Sequence, residues 1–108
     1  MKVGTRMLLI TSTDVVVDGL SFSEKIATHT LLKKLLRYEK RKGIINVNDV
    51  VSESNEAFTR TVAVNVLRKL EITGVLRTRS LGVKGTYFEI LHFEATKEIC
   101  KKIGLVKR

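Results

Sequence analysis

Over residues 56–73 the chain places Thr61, Asn65 and Arg68 on one side of a helical run, with Arg60, Val64 and Lys69 on its flanks. The opposite side carries Thr59, Val62, Ala63, Val66, Leu67 and Leu70 at three- and four-residue spacing, the stripe by which an amphipathic helix docks on a core. Guanidinium, carboxamide and hydroxyl groups facing outward recognise by hydrogen bonding. Gly74 then closes the helix. Two β-prone stretches follow, residues 75–80 and 86–91, joined by Leu81-Gly82-Val83-Lys84-Gly85, whose glycines supply the positive φ values a tight connection needs. Arg77, Arg79 and Lys84 make that hairpin basic. This order of elements builds a helix that fits a DNA groove beside a basic two-stranded arm.

Residues suited to bond-making chemistry are scarce. His29 lies between Ile26 and Leu32, and His92 between Leu91 and Phe93, contexts that suit core or interface histidines. There is no Gly-rich phosphate loop, no cluster with metal-ligand spacing and no nucleophile with an obvious base. The lone Cys100 excludes an internal disulfide and a cysteine-based zinc site; it is read as a buried small hydrophobe, or else as a dimer-bridging or redox-sensing thiol. The expectation is a binding protein, not an enzyme, with no metal, no cofactor and no evident small-molecule substrate.

The elements that must position the outward helix face can be read from local signals. At 108 residues the chain is expected to form one domain. Residues 1–20 read as an extended N-terminal segment, because Met7-Leu8-Leu9-Ile10 and Val15-Val16-Val17 are β-prone. Ser21-Phe22-Ser23-Glu24 has capping-box spacing, and the helix it starts should run to about Lys42 and stop at Gly43. One face of that helix carries Ala27, Leu31, Leu32, Leu35 and Tyr38, and a second apolar stripe carries Phe22, Ile26, His29 and Leu36. Such a helix buries both sides, one against the core and the other against the N-terminal strands or a second subunit. Ile44-Ile45 can form a short strand. Asn46, with Asp49 three residues on, caps a short second helix whose buried side is Val47, Val50 and Val51, and residues 52–55 make the turn. A short amphipathic helix over residues 95–103 places Ala95, Ile99 and Ile103 on one side. Alone it would not hold in water, so it must dock.

Charge is unevenly spread. The total is +9, but residues 44–76 carry three basic and four acidic groups, while residues 21–43 carry seven and two. The excess favours a polyanionic partner, nucleic acid or an acidic membrane surface. Lys33, Lys34, Arg37, Lys40, Arg41 and Lys42 crowd one stretch, as a solvated face that complements the helix dipole or as a phosphate-contacting patch. Asp49, Glu53 and Glu56 lie in or beside the turn, where acids would oppose phosphates. Glu56 and Arg60, at i and i+4, could pair. No apolar run is long enough to span a bilayer and no signal peptide is evident, so a cytoplasmic location without membrane contact is expected. The absence of Pro, Trp and Gln, with abundant charge, leans towards a thermophilic source.

The succession of helix, strand, helix, turn, helix and hairpin resembles the winged helix-turn-helix family of DNA-binding domains, over about residues 24–91. Val66-Leu67-Arg68-Lys69-Leu70-Glu71-Ile72-Thr73-Gly74-Val75-Leu76 is similar to the stretch that ends that family's recognition helix and enters its wing. Small archaeal regulators, and those of archaeal viruses or plasmids, look most alike. The resemblance implies an α+β fold, a three-helix core with a β-hairpin wing, here with an N-terminal β segment and a short C-terminal helix. It implies that helix 56–73 lies in the major groove of double-stranded DNA, where Arg60 or Arg68 could read guanine, Asn65 adenine, and Thr61 a phosphate or thymine methyl. Lys69 flanks this set. Arg77, Arg79 and Lys84 would meet the backbone or minor groove, or serve only hairpin solubility, and Arg37 and Arg41 would add phosphate contacts. Many such regulators dimerise through terminal elements, so a homodimeric transcriptional regulator reading a pseudo-palindrome is expected. The alternative is a winged-helix adaptor that binds proteins in a replication, transcription or partition complex, which a near-neutral recognition segment would suit.

Overall fold

Ser21 opens a helix by the reciprocal contacts that its spacing predicts. Its hydroxyl accepts from the Glu24 amide, and the Glu24 carboxylate accepts from the Ser21 amide at 2.9 Å. The computed structural model describes residues 13–106. Its elements are α1 (Thr13–Asp18), α2 (Phe22–Leu35), β1 (Lys42–Ile45), α3 (Val47–Glu53), α4 (Arg60–Ile72), β2 (Leu76–Ser80), a 3₁₀ turn (Gly82–Lys84), β3 (Thr86–Ile90) and α5 (Phe93–Val106). The chain is therefore α+β, with the arrangement of a winged helix.

Two expectations need correction at the N-terminal end. Val15-Val16-Val17 do not form a strand; they lie in α1, where Val16 and Val17 are buried and Leu20 follows them into the core. Tertiary packing here overrides β propensity. The Lys102 ammonium of α5 donates to the Thr13 hydroxyl at 2.9 Å and pairs with Asp14 and Glu98, pinning α1 against α5. The other β-prone run, Met7–Ile10, lies outside the described residues.

The second correction concerns α2, which ends at Leu35 and not near Lys42. The amides of Arg37 and Tyr38 fall back to three-residue bonds with Lys34 and Leu35, and Arg41 turns the chain in a left-handed conformation at φ 62°. Tyr38 is the cause that the packing shows. Its ring meets Phe88 edge-on at 4.9 Å and its hydroxyl donates to the Ile44 carbonyl at 3.1 Å. Gly43 accordingly does not cap α2. A Cβ there would lie 2.5 Å from two Tyr38 ring carbons, so glycine is required for the strand to pass beneath the ring.

The three strands form one antiparallel sheet in the order β1-β3-β2. Lys42 pairs with Glu89 and Ile45 with Thr86 on one side of β3; Leu76 pairs with Ile90 and Ser80 with Thr86 on the other. Phe88, Ile90 and Leu76 enter the core with Leu31, Leu32 and Leu35 of α2, Leu70 of α4, and Ile99 and Ile103 of α5. α2 packs between α4 and α5. Its second apolar stripe therefore faces α5 of the same chain, although Phe22 remains 73% exposed. The amphipathic tail docks as expected and is longer at both ends than residues 95–103. Cys100 is buried in it, and burial pushes its thiol pKa up. Among the described residues no helix is long and apolar enough to cross a membrane.

Candidate nucleic-acid interface

Asn46 caps α3 by accepting from the Asp49 amide at 3.2 Å. The turn that follows is longer than residues 52–55. Asn55 and Glu56 both adopt left-handed backbone at φ 59°, Phe58 plugs into the core, and Thr59 caps α4 by accepting from the Val62 amide at 3.2 Å. α4 thus starts four residues later than expected, because the Thr59 cap and the Phe58 anchor lie inside the stretch read as helix. Glu56 is then no helical neighbour of Arg60, and among the described residues it joins no salt bridge. Arg60 donates instead from Nη1 to Asn48 Oδ1 of α3 at 3.1 Å.

α4 buries Ala63, Val66, Leu67 and Leu70. At about 100° per residue, Thr61, Asn65, Arg68 and Ile72 fall on the opposite side, and all four are exposed. Arg60 and Val64 lie towards the wing. A cleft of about 310 Å³ separates α4 from the hairpin, lined by Arg60, Val64 and Arg68 on one wall and by Ser80 and Thr86 on the other. The Glu71 carboxylate closes its far end by accepting from the Thr78 hydroxyl at 2.8 Å, which fixes the angle between helix and wing. A smaller recess continues from Arg60 past Asn46 and Asn48 to Gly82 and Val83 at the wing tip. Gly85 lets the tip fold close, since a Cβ there would stand 2.5 Å from the Ile45 carbonyl oxygen, and its φ of 115° disfavours other residues. Lys84 is exposed at this tip, one residue before Gly85.

The remaining candidates lie elsewhere. Lys69, next to Arg68 in sequence, points towards α2, where its ammonium meets Glu24 at 2.9 Å. The Glu24 carboxyl is held below its ordinary pKa by the Ser21 amide and then by Lys69. Strand alternation sends Leu76 and Thr78 to the α4 side of the sheet. Arg77 and Arg79 therefore occupy the other face, where Arg77 approaches Glu89 at 3.6 Å and Arg79 stands in register with Tyr87. The Arg41 guanidinium stacks 3.8 Å above the Phe93 ring. Its carbonyl accepts from the Ile90 amide, at the end of β3 about 13 Å from Thr86 at ~3.3 Å per residue. Arg37 lies beside Lys33 and Lys34, with Glu53 paired to Lys34 at 3.1 Å. Glu53 thus faces α2 and not the wing. Asn48, as the partner of Arg60, was invisible to sequence reasoning, because no local spacing rule links positions twelve apart.

The arrangement offers an outward polar helix face, two guanidiniums along one edge of it and a cationic loop tip beyond a cleft, with no cluster of metal-ligating side chains among the described residues. Geometry of this kind suits docking on a grooved polyanion. The family model described as the CodY helix-turn-helix domain matches residues 49–103, just over half of the chain, from within α3 through α4 and the wing into α5. The chain belongs to this family and is a winged-helix-type, helix-turn-helix DNA-binding domain.

Proposed function

We propose that the protein is a sequence-specific regulator of transcription that reads double-stranded DNA with α4 in the major groove while the wing meets the backbone or minor groove. The observation that carries this reading is the stripe Thr61–Asn65–Arg68, exposed along α4 and flanked by the Arg60 cleft. Asn65 and Arg68 supply bidentate contacts to adenine and guanine. Thr61 suits a thymine methyl or a phosphate. Arg60, braced by Asn48, stands between helix and wing, where a strand of the duplex would pass. Lys84 at the wing tip adds a backbone contact, and Arg77 and Arg79 reach DNA only if it wraps onto the outer sheet face. The protein would act in the cytoplasm.

The homodimer belongs to the same proposal. Phe22 aside, α2 packs its apolar residues within one chain, as α5 does with Ile99 and Ile103, so the support comes from Ile72, 66% exposed beside a groove of about 200 Å³ between α1 and α4. A monomer in sedimentation at high concentration would remove this part of the reading.

Fluorescence-anisotropy titration of labelled duplexes tests the whole. Affinity should fall linearly in log–log form with salt, by about 0.9 per phosphate neutralised, and should favour one selected sequence. No duplex binding at low salt would overturn the proposal and favour the protein-binding adaptor, which the near-neutral charge of residues 44–76 would then explain.

A further inference from the structure

α2 carries a second charged face that reading by α4 leaves unused. Glu24 points towards α4 through its bond with Lys69. Nine residues later, at about 100° each, Lys33 lies on the opposite side of the helix. Together with His29, Thr30, Lys34, Arg37 and Glu53 it lines an open groove of about 370 Å³. α5 bounds one edge, where a Cβ on Gly104 would lie 3.2 Å from His29 Nε2.

Charge in this groove is poorly compensated. Lys34 has Glu53 at 3.1 Å; among the described residues neither Lys33 nor Arg37 has a salt-bridge partner. Lys40, Arg41 and Lys42 follow in the sequence but outside the groove's lining, with Arg41 stacked on Phe93. Neither core packing nor capping requires this concentration of cations, and their mutual repulsion would be relieved by a polyanion. From His29 to Leu35, where α2 ends, the helix rises about 9 Å at ~1.5 Å per residue and Arg37 lies just beyond, so the row matches the axial rise of about three nucleotides of one strand at ~3.4 Å each. It is too open to enclose a small anion and matches a phosphate backbone.

We propose that this groove is a second, sequence-independent site for duplex phosphates on the side of the domain away from α4, so that one domain can join two DNA segments. The inference rests on the DNA reading above only for the identity of the polymer; the residues are different.

The test uses full-length protein, one short duplex on beads and a second, fluorescent duplex in solution. Wild type should retain the fluorescent duplex at low salt. Lys33→Gln/Arg37→Gln should bind a single short duplex within about twofold of wild type yet lose about tenfold or more of the retention, since each neutralised contact steepens salt dependence by ~0.9. Retention equal to wild type would overturn the proposal. So would an equal loss of single-duplex affinity, which would put the groove on the reading face, or occupation by a polyglutamate peptide that no duplex displaces. Arg60→Ala/Arg68→Ala separates the two readings: it weakens the first duplex if α4 reads DNA, whether or not the groove holds a second.

Discussion

Arg68 and Lys69 are adjacent cations with different surroundings, and replacing each by alanine should give opposite phenotypes. Arg68 is exposed on the α4 stripe with Asn65. Among the described residues it has no salt-bridge partner, so its removal should change folding stability by less than about 0.5 kcal/mol. If it reads guanine, its loss removes about 1–3 kcal/mol of discrimination, a fall of about five- to 150-fold in affinity for the preferred sequence. Non-specific affinity, which is electrostatic, should fall by no more than one phosphate contact contributes. Lys69 is instead held 2.9 Å from a Glu24 carboxylate that is itself only 14% exposed. Lys69→Ala should destabilise by about 0.2–1 kcal/mol, a few degrees of melting temperature for a domain of this size at about 4–8 °C per kcal/mol, and leave discrimination intact. Anisotropy titrations against a selected and a scrambled duplex, paired with thermal melts, read both quantities. A loss of discrimination in Lys69→Ala, or its retention in Arg68→Ala, would refute the placement of the reading face.

Lys84→Ala should weaken selected and scrambled duplexes alike and reduce the salt slope by about 0.9; a loss confined to the selected sequence would contradict a backbone role for the wing tip. Glu24→Gln keeps the capping geometry and removes the charge. Because the folded carboxyl titrates below its ordinary value, its contribution is complete above about pH 4.3 and fades as pH falls through the lower folded value. Wild type should therefore exceed the variant in urea-measured stability at pH 7 and match it in strong acid. Gly43→Ala drives a methyl into the Tyr38 ring and should destabilise by about 1–3 kcal/mol; in a Tyr38→Ala background the same change should cost far less, and an undiminished cost would exclude the ring as the cause.

The core of this fold was legible because its signals are local and redundant. Ser21–Glu24, Asn46 and the paired wing glycines each specify backbone geometry within a few residues. α1 was not legible, since three consecutive valines favour a strand until Lys102, 88 positions beyond Asp14, supplies the tie that holds a helix there. The early end of α2 was hidden for the same reason: Tyr38 leaves the helix to meet Phe88, fifty residues on. At the interface, periodicity found the outward stripe of α4 but could not orient its flanks. It treated Arg60 and Lys69 as equivalent neighbours of that stripe, whereas Asn48 draws one towards the wing and Glu24 draws the other towards α2. Strand alternation contained the split of Arg77 and Arg79 from the cleft, but only the packing of Leu76 and Phe88 showed which sheet face is inner.

Scarcity of cations on the outward stripe of α4, where Arg68 stands with Thr61, Asn65 and Ile72, bears directly on selectivity. Non-specific affinity for DNA is essentially electrostatic, and a genome offers about 10⁶–10⁹ competing sites. A reading face dense in lysine would raise affinity for every one of them. With Lys69 turned to Glu24 and Arg60 braced by Asn48, the stripe presents the Arg68 guanidinium, which has no salt-bridge partner among the described residues, beside a carboxamide and a hydroxyl. Its hydrogen bonds can discriminate among base edges while adding little to the background. On the proposed reading, the +9 charge does its work elsewhere, at the wing tip and in the α2 groove, where it raises the local concentration of duplex without interfering with the choice of sequence. Moving a cation onto the stripe should expose this division. Thr61→Lys should raise affinity for scrambled duplexes by the ~0.9 slope of one added phosphate contact and narrow the ratio between selected and scrambled sequences. A ratio that widened instead would mean that α4 contacts phosphates already and reads the bases with something other than this stripe.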